Sequence, residues 1–179
     1  MRALVVYESM FGNTRDVAQA VADGVGTKMP VQLIEVADAP SVIPADVALL
    51  LIGGPTHAHG LSSPKSRADA AGRAGDKLVS RGGGLADWLD NVSAEAGPIA
   101  AVAFDTRIKG PGLLWGSAAK AATKLLQARH FSVIAQPVSF LVGGPTGPMF
   151  NRLEDGESER ARAWGASLAD ALLAPEGVR

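Results

Sequence analysis

Apolar and polar positions along this chain follow two different periods in turn. Leu4-Val5-Val6-Tyr7, Val47 to Ile52 and Ile99 to Phe104 are nearly continuous apolar runs, the pattern of strands buried on both faces. Val31-Gln32-Leu33-Ile34-Glu35-Val36 alternates, which predicts an edge strand with one wetter face. A fifth run, Ser132 to Val142, is rich in β-branched residues but contains Pro137. Proline cannot donate to a ladder and is confined to edges or bulges. Strands two and five are therefore expected at the edges, with one, three and four inside.

Between these runs the period changes to that of a helix. After Asn13, the residues Val17, Ala18, Val21, Ala22 and Val25 recur on one face. Leu85 to Val92 predicts a short helix after the glycines at 82–84, and Ser117 to Gln127 another, with Ala118, Ala121, Ala122 and Leu125 inward. Asp155 is the expected N-cap of a last helix whose apolar stripe is Ala161, Trp164, Leu168 and Leu172. Alternating β and α elements imply right-handed crossovers with helices on both faces. The fold class predicted is α/β, a doubly wound five-stranded parallel sheet in the order 2-1-3-4-5, the order that puts strands two and five outside.

Residues 1–179 are expected to form a single domain. Within it, residues 61–83 fit no element cleanly. Lys65, Arg67, Arg73, Lys77 and Arg81 stand there against Asp69 and Asp76. The stretch is expected to be a part-helical surface insertion after strand three, either a solvated excursion or a basic patch that caps a ligand or meets an acidic partner. Gly53-Gly54-Pro55-Thr56 is echoed by Gly143-Gly144-Pro145-Thr146; both follow strands, and the echo is expected to be two similar turns.

Composition removes several classes of chemistry. There is no cysteine, which excludes disulfides, thiol catalysis and cysteine-ligated iron–sulfur clusters. A formal net charge of −1 argues against general affinity for nucleic acid or anionic membranes. No apolar run approaches the ~18 residues that cross a bilayer. Met1 and Arg2 lead straight into Leu4–Tyr7, without the separate regions of a signal peptide, so a cytoplasmic protein is expected.

In an open α/β sheet, ligands bind beyond the carboxyl ends of strands where the strand order reverses. For the order 2-1-3-4-5 that point lies between strands one and three. Strand one is followed by Ser9-Met10-Phe11-Gly12-Asn13-Thr14 and then a helix. Hydroxyls and backbone N–H groups converging at a helix N-terminus suit a phosphate, and glycine permits close approach. No lysine is present and the Gly-Lys-Ser/Thr ending of a P-loop is missing, so a phosphate monoester fits better than a triphosphate. A G-x-G-x-x-G fingerprint is absent too, although Glu35 ends strand two. Read alone, the loop is equally a tight turn before a helix. After strand three, Gly53-Gly54-Pro55-Thr56-His57-Ala58-His59-Gly60 offers a stiff turn with exposed peptides, suited to a flat heterocycle. His57 and His59 have no third ligand nearby, and no metal is expected. After strand four, Asp105-Thr106-Arg107-Ile108-Lys109-Gly110-Pro111-Gly112 reads either as cover for the same ligand or as a polar turn with Trp115 in the core.

Taken together, these three loops resemble those of the flavodoxin family, from Leu4 to about Leu173. Ser9 to Thr14 is similar to the family's FMN phosphate loop, and Gly54-Pro55-Thr56-His57 with Gly60 to its second flavin loop. Asp105 to Gly112 lies where the third is expected. The resemblance implies that Ser9, Phe11, Gly12, Asn13 and Thr14, with Met10 in the same loop, hold the phosphate of one non-covalent FMN. It implies that Pro55, Thr56, His57 and Gly60 line the isoalloxazine, with a peptide near Gly60 hydrogen-bonding N5. Thr106, Arg107, Ile108, Lys109 and Gly110 would cover the pyrimidine side. The cofactor would carry the chemistry, with no catalytic side chain on the protein, and the implied function is electron transfer with a redox partner protein.

The chain departs from that family in charge and in stacking residues. Flavodoxins are strongly acidic and sandwich the flavin between aromatic rings; this chain is nearly neutral, with His57 and Ile108 in the corresponding loops. Arg107 and Lys109 near flavin N1 would attract the charge of the reduced ring, which predicts a less negative second reduction potential than in an acidic flavodoxin. Two other readings stay open: an FMN-dependent NAD(P)H:quinone-type reductase, and a flavodoxin-like interaction module without cofactor. A phosphoreceiver domain would need acidic residues after strands one and three, where only Glu8 stands. No G-x-S-x-G elbow of a serine hydrolase is present.

Overall fold

The computed structural model describes residues 1–58, 60–109, 116–144 and 151–174. Five apolar runs become one parallel sheet. β1 (Arg2–Tyr7) lies between β2 (Val31–Glu35) and β4 (Val47–Pro55), and β4 pairs onward with β6 (Ala100–Ile108). The fifth run splits in two: β7 (Ser132–Val133) pairs with the start of β6, and β8 (Val138–Val142) with its end. Ser132 stands opposite Ala100 but Val138 opposite Phe104, so residues 134–137 leave the ladder. Pro137, which has no N–H to donate, sits in that gap. The expected order is the observed one, with the outer strand broken at its proline. A second, two-stranded sheet joins β3 (Val42–Ile43) to β5 (Ser93–Ala94), a pairing too short for any periodicity to reveal.

Side chains alternate across the main sheet and build two cores. Val5, Leu49, Leu51, Val102 and Phe104 face α1 (Asn13–Val25) and α5 (Glu157–Leu173). Leu4, Val6, Leu50, Ile52 and Ala103 face α3 (Leu85–Leu89) and α4 (Ala118–Ala128). Val17, Ala18, Val21, Ala22 and Val25 are all buried, as their spacing predicts. Helices α1 and α5 touch backbone to backbone at two glycines. A Cβ on Gly24 would collide with the carbonyl of Arg162, and one on Gly165 with that of Val21. This close crossing braces the helix that opens the candidate site.

Three details differ from expectation. The last helix begins at Glu157 behind Gly156, which adopts φ 81°, so Asp155 is not its N-cap. Glu157 instead accepts the N–H of Leu141 and pairs with Arg160, which ties the first turn to β8. In α4, Ala118, Ala119, Ala122 and Leu126 are buried while Ala121 and Leu125 are only partly so. Ser117 caps that helix by accepting the N–H of Lys120. Third, β4 and β6 run on to Pro55 and Ile108, past the expected strand ends, because Gly53, Gly54 and Pro55 pair with Phe104, Asp105 and Thr106.

The stretch after β4 contains α2 (Pro64–Ala74), opened by Ser63 in a reciprocal capping arrangement with Ser66. A single tight turn at Gly75–Lys77 follows. The chain then returns to β1's exit loop, where Val79 N–H donates to the carbonyl of Met10 at 3.1 Å and Ser80 N–H to that of Ser9 at 2.8 Å.

Candidate functional site

β1 sits where the strand order reverses, and its exit loop begins the site. Gly12 adopts φ 100°, a conformation that side-chain-bearing residues avoid, and its N–H donates to Ser9 Oγ at 3.1 Å. The turn delivers the chain into α1 at Asn13 with no side chain capping the helix. The first N–H groups of a helix have no intrahelical partner. With the hydroxyls of Ser9 and Thr14 buried beside them, they form a concentration of donors and partial positive charge.

The exits of β4 and β6 form the facing wall. Thr56 N–H donates to Thr106 O at 2.8 Å, and the hydroxyls of Thr14 and Thr106 lie 2.7 Å apart. The second of these contacts links the helix cradle directly to β6. Behind them Asp105 is fully buried. Its Oδ2 accepts hydrogen bonds from Ser117 Oγ (2.6 Å), Ala119 N–H (2.9 Å) and Thr56 Oγ1 (3.1 Å), and Thr56 Oγ1 accepts from Ala118 N–H. One carboxylate therefore ties the β4 exit to the start of α4. Beyond Thr56, His57 and Gly60 exchange backbone hydrogen bonds of 2.9 and 3.1 Å around Ala58 at φ 53°.

These exits enclose one cleft. From the first loop it is lined by Ser9, Met10, Phe11, Asn13 and Thr14; from the second by Pro55, Thr56 and His57; from the third by Thr106, Arg107 and Ile108. Gly12 shapes the cleft from behind and Gly60 closes the His57 turn. Lys109 lies elsewhere: it is exposed and pairs with Glu154 at 3.4 Å. Gly110 and His59 lie outside the described residues, as do Pro111, Gly112, Trp115 and the second half of the Gly143–Thr146 echo. Arg107 Nε is buried and has no hydrogen-bond partner among the described residues, an unmade bond of the kind folded proteins rarely tolerate.

Four contributors escape local reading. Ser80 Oγ accepts the N–H of Ser9 at 2.9 Å, bringing the 64–80 excursion onto the cradle. Asn151, at φ 50°, accepts from Asn13 Nδ2 through its carbonyl and its Oδ1 and lines the cleft. Asp105 is the third. Glu8 is the fourth: it is fully buried and accepts Leu85 N–H at 2.8 Å. Burial pushes the Glu8 carboxyl above the usual range, and the Leu85 N–H and the nearby Arg67 charge offset only part of this. Burial holds His57 below the ordinary histidine value, and Arg67 adds to the effect. Both effects favour the neutral ring over the charged one. Among the described residues no group of three His, Cys, Asp or Glu is placed to hold a metal ion, and no helix is long and apolar enough to cross a membrane.

No family model and no curated protein matches this sequence. Solved structures do. Flavodoxin 1 from Bacillus cereus superposes with a TM-score of 0.65 at 18% identity, covering 95% of this chain and 98% of that one. A flavodoxin from the domain Archaea gives 0.63 at 17% identity, covering 96% and 99%. This is a flavodoxin-like fold. A WrbA-like flavodoxin from Agrobacterium tumefaciens is also similar, with a TM-score of 0.53 at 20% identity over 96% of each chain. Within the flavodoxin-like sheet, the cleft occupies the strand-order reversal between β1 and β4, where ligands of doubly wound sheets bind.

Proposed function

We propose that this protein binds one FMN non-covalently and uses it for electron transfer. The observation that carries the reading is the uncapped N-terminus of α1, which turns on Gly12 and is flanked by the buried hydroxyls of Ser9 and Thr14. Such a cradle suits a phosphate monoester. The group fits on a second count: Arg107 lines the same cleft, and its buried Nε has no acceptor among the described residues, a bond that a heterocycle rich in carbonyl and ring-nitrogen acceptors would supply.

In this reading Ser9, Met10, Phe11, Gly12, Asn13 and Thr14 hold the phosphate. Pro55, Thr56 and His57 line one side of the ring system, and Thr106, Arg107 and Ile108 the other. FMN supplies reversible uptake of electrons when bound. The protein's contribution is to fix the ring between two strand exits, to exclude water from one side and to set the local charge. Arg107 is the basic side chain among the described residues of the cleft lining apart from His57, whose charged form burial disfavours. A redox partner protein follows from electron transfer of this kind.

The test is the visible spectrum of the purified, undenatured protein, followed by titration of flavin-free protein with FMN. The expected result is flavin absorbance and quenching of FMN fluorescence at a one-to-one ratio. Absence of both would overturn the reading and leave the architecture alone. A second reading, an FMN-dependent reductase, is supported by one further feature: a cationic hollow that adjoins the cleft. Rapid NAD(P)H oxidation with added quinone, in the absence of any partner protein, would favour it.

A further inference from the structure

A second hollow of about 360 Å3 opens beside the flavin cleft, within the size range of small-molecule sites. The two share Phe11, Ile108, Val142 and Asn151, so little more than those side chains separates them. Phe11, which remains 43% exposed, Ile108 and Val142 give the hollow an apolar wall. Arg73 and Lys77 give it a cationic one. None of its described lining residues is acidic.

The two cations come from the excursion that follows β4. Of the other positive charges there, Arg67 pairs with Asp87 at 2.7 Å and Arg81 donates to the carbonyl of Asp76, while Lys65 does not line the hollow. Arg73 and Lys77 have no ion-pair partner among the described residues. The segment bearing them is held at both ends. Ser63 caps α2 at its start, and Val79 and Ser80 bond to Met10 and Ser9 at its finish. Both charges are thus presented from a braced segment over an apolar surface next to the cleft. Long solvated loops do not need such bracing, and an uncharged ligand would leave the two cations without use.

We propose that this hollow is a second ligand site for a planar aromatic anion. The ring lies against Phe11, Ile108 and Val142, and the anionic group meets Arg73 and Lys77. The inference rests on the FMN reading above and deepens it by naming the class of small molecule brought next to the cofactor.

The experiment uses the FMN-loaded protein, so that the inner cleft is filled, and two probes of equal ring size. Naphthalene-2-sulfonate carries the charge and 2-naphthol lacks it. Calorimetric titration at low salt is expected to show the sulfonate binding about tenfold tighter, the scale of two partly exposed charge contacts. Added sodium chloride should erase the preference. The double variant Arg73→Ala, Lys77→Ala should lose about tenfold for the sulfonate, keep its affinity for 2-naphthol and retain full flavin absorbance. Equal binding of the two probes, or a double variant that binds the sulfonate as well as the parent, would overturn the proposal while leaving FMN in place. Loss of the FMN reading shows itself separately, as a colourless parent protein.

Discussion

Ser9 and Ser80, separated by 71 residues in sequence, exchange two hydrogen bonds: the N–H of Ser80 donates to the carbonyl of Ser9 at 2.8 Å, and the N–H of Ser9 to Ser80 Oγ at 2.9 Å. Both residues are buried. The excursion after β4 is therefore part of the wall of the cradle at the start of α1. Ser80→Ala strands the Ser9 N–H away from water, at a cost of about 1–3 kcal/mol. Urea unfolding of the flavin-free protein should show that loss. FMN titration should show a severalfold weaker Kd, because the loop that would hold the phosphate is no longer fixed.

Gly12 stands at φ 100° with room around it for a methyl group, the nearest atom lying 3.4 Å away on Arg15. Gly12→Ala is thus expected to act through backbone strain alone, about 1–3 kcal/mol. The loop can relieve it only by turning the helix N-terminus off the cleft. FMN affinity should fall by more than tenfold while circular dichroism stays that of the parent. Unchanged affinity would mean that the cradle does not depend on this turn.

Arg107 brings a positive charge to the lining of the cleft, and Lys109 does not, being turned to Glu154. The attraction expected from the sequence for a reduced, anionic flavin therefore rests on Arg107. A unit charge near a ligand at a protein surface is worth on the order of 1 kcal/mol, or roughly 50 mV for a one-electron step. Spectroelectrochemical titration of Arg107→Ala should give a second reduction potential more negative by about that amount. Lys109→Ala should leave it in place.

Glu8 is buried with one oxygen on the N–H of Leu85 and the other, Oε1, without a partner among the described residues. Burial raises its folded-state pKa above the unfolded value. A group shifted this way contributes stability that is fully present below the unfolded pKa of about 4.3 and is lost as pH rises through the folded pKa. Relative to the parent, Glu8→Gln should therefore be least favourable at pH 4 and most favourable at pH 8. Denaturant midpoints measured across that range check the sign. A difference that stays flat would place the titration elsewhere.

Some of the site was legible before any fold was known because it is local. Ser9 to Thr14 form a contiguous strand exit, turn and helix start, and the turn's geometry follows from one glycine. The strand ends were not legible. Gly53, Gly54 and Pro55 punctuate a chain when read alone, yet they continue β4 because β6 lies beside them to pair with. Asp105 read as part of a polar turn, and it is instead a buried carboxylate joining three backbone segments. Its role depends on Thr56 and Ser117, whose positions no spacing encodes.

The amino-acid sequence alone determined the alternation of strand and helix, the strand order, the edge position of the proline-containing run and the turn-then-helix form of the first loop. Those features arise from periods of two and of 3.6 residues and from single-residue backbone limits, which act between near neighbours. Tertiary structure decided which charged side chains enter the cleft, that Asn151 meets Asn13 across 138 residues, and that residues 79–80 dock on the cradle. Contacts at such separations carry no local signature, since they depend on how two cores pack helices onto one sheet.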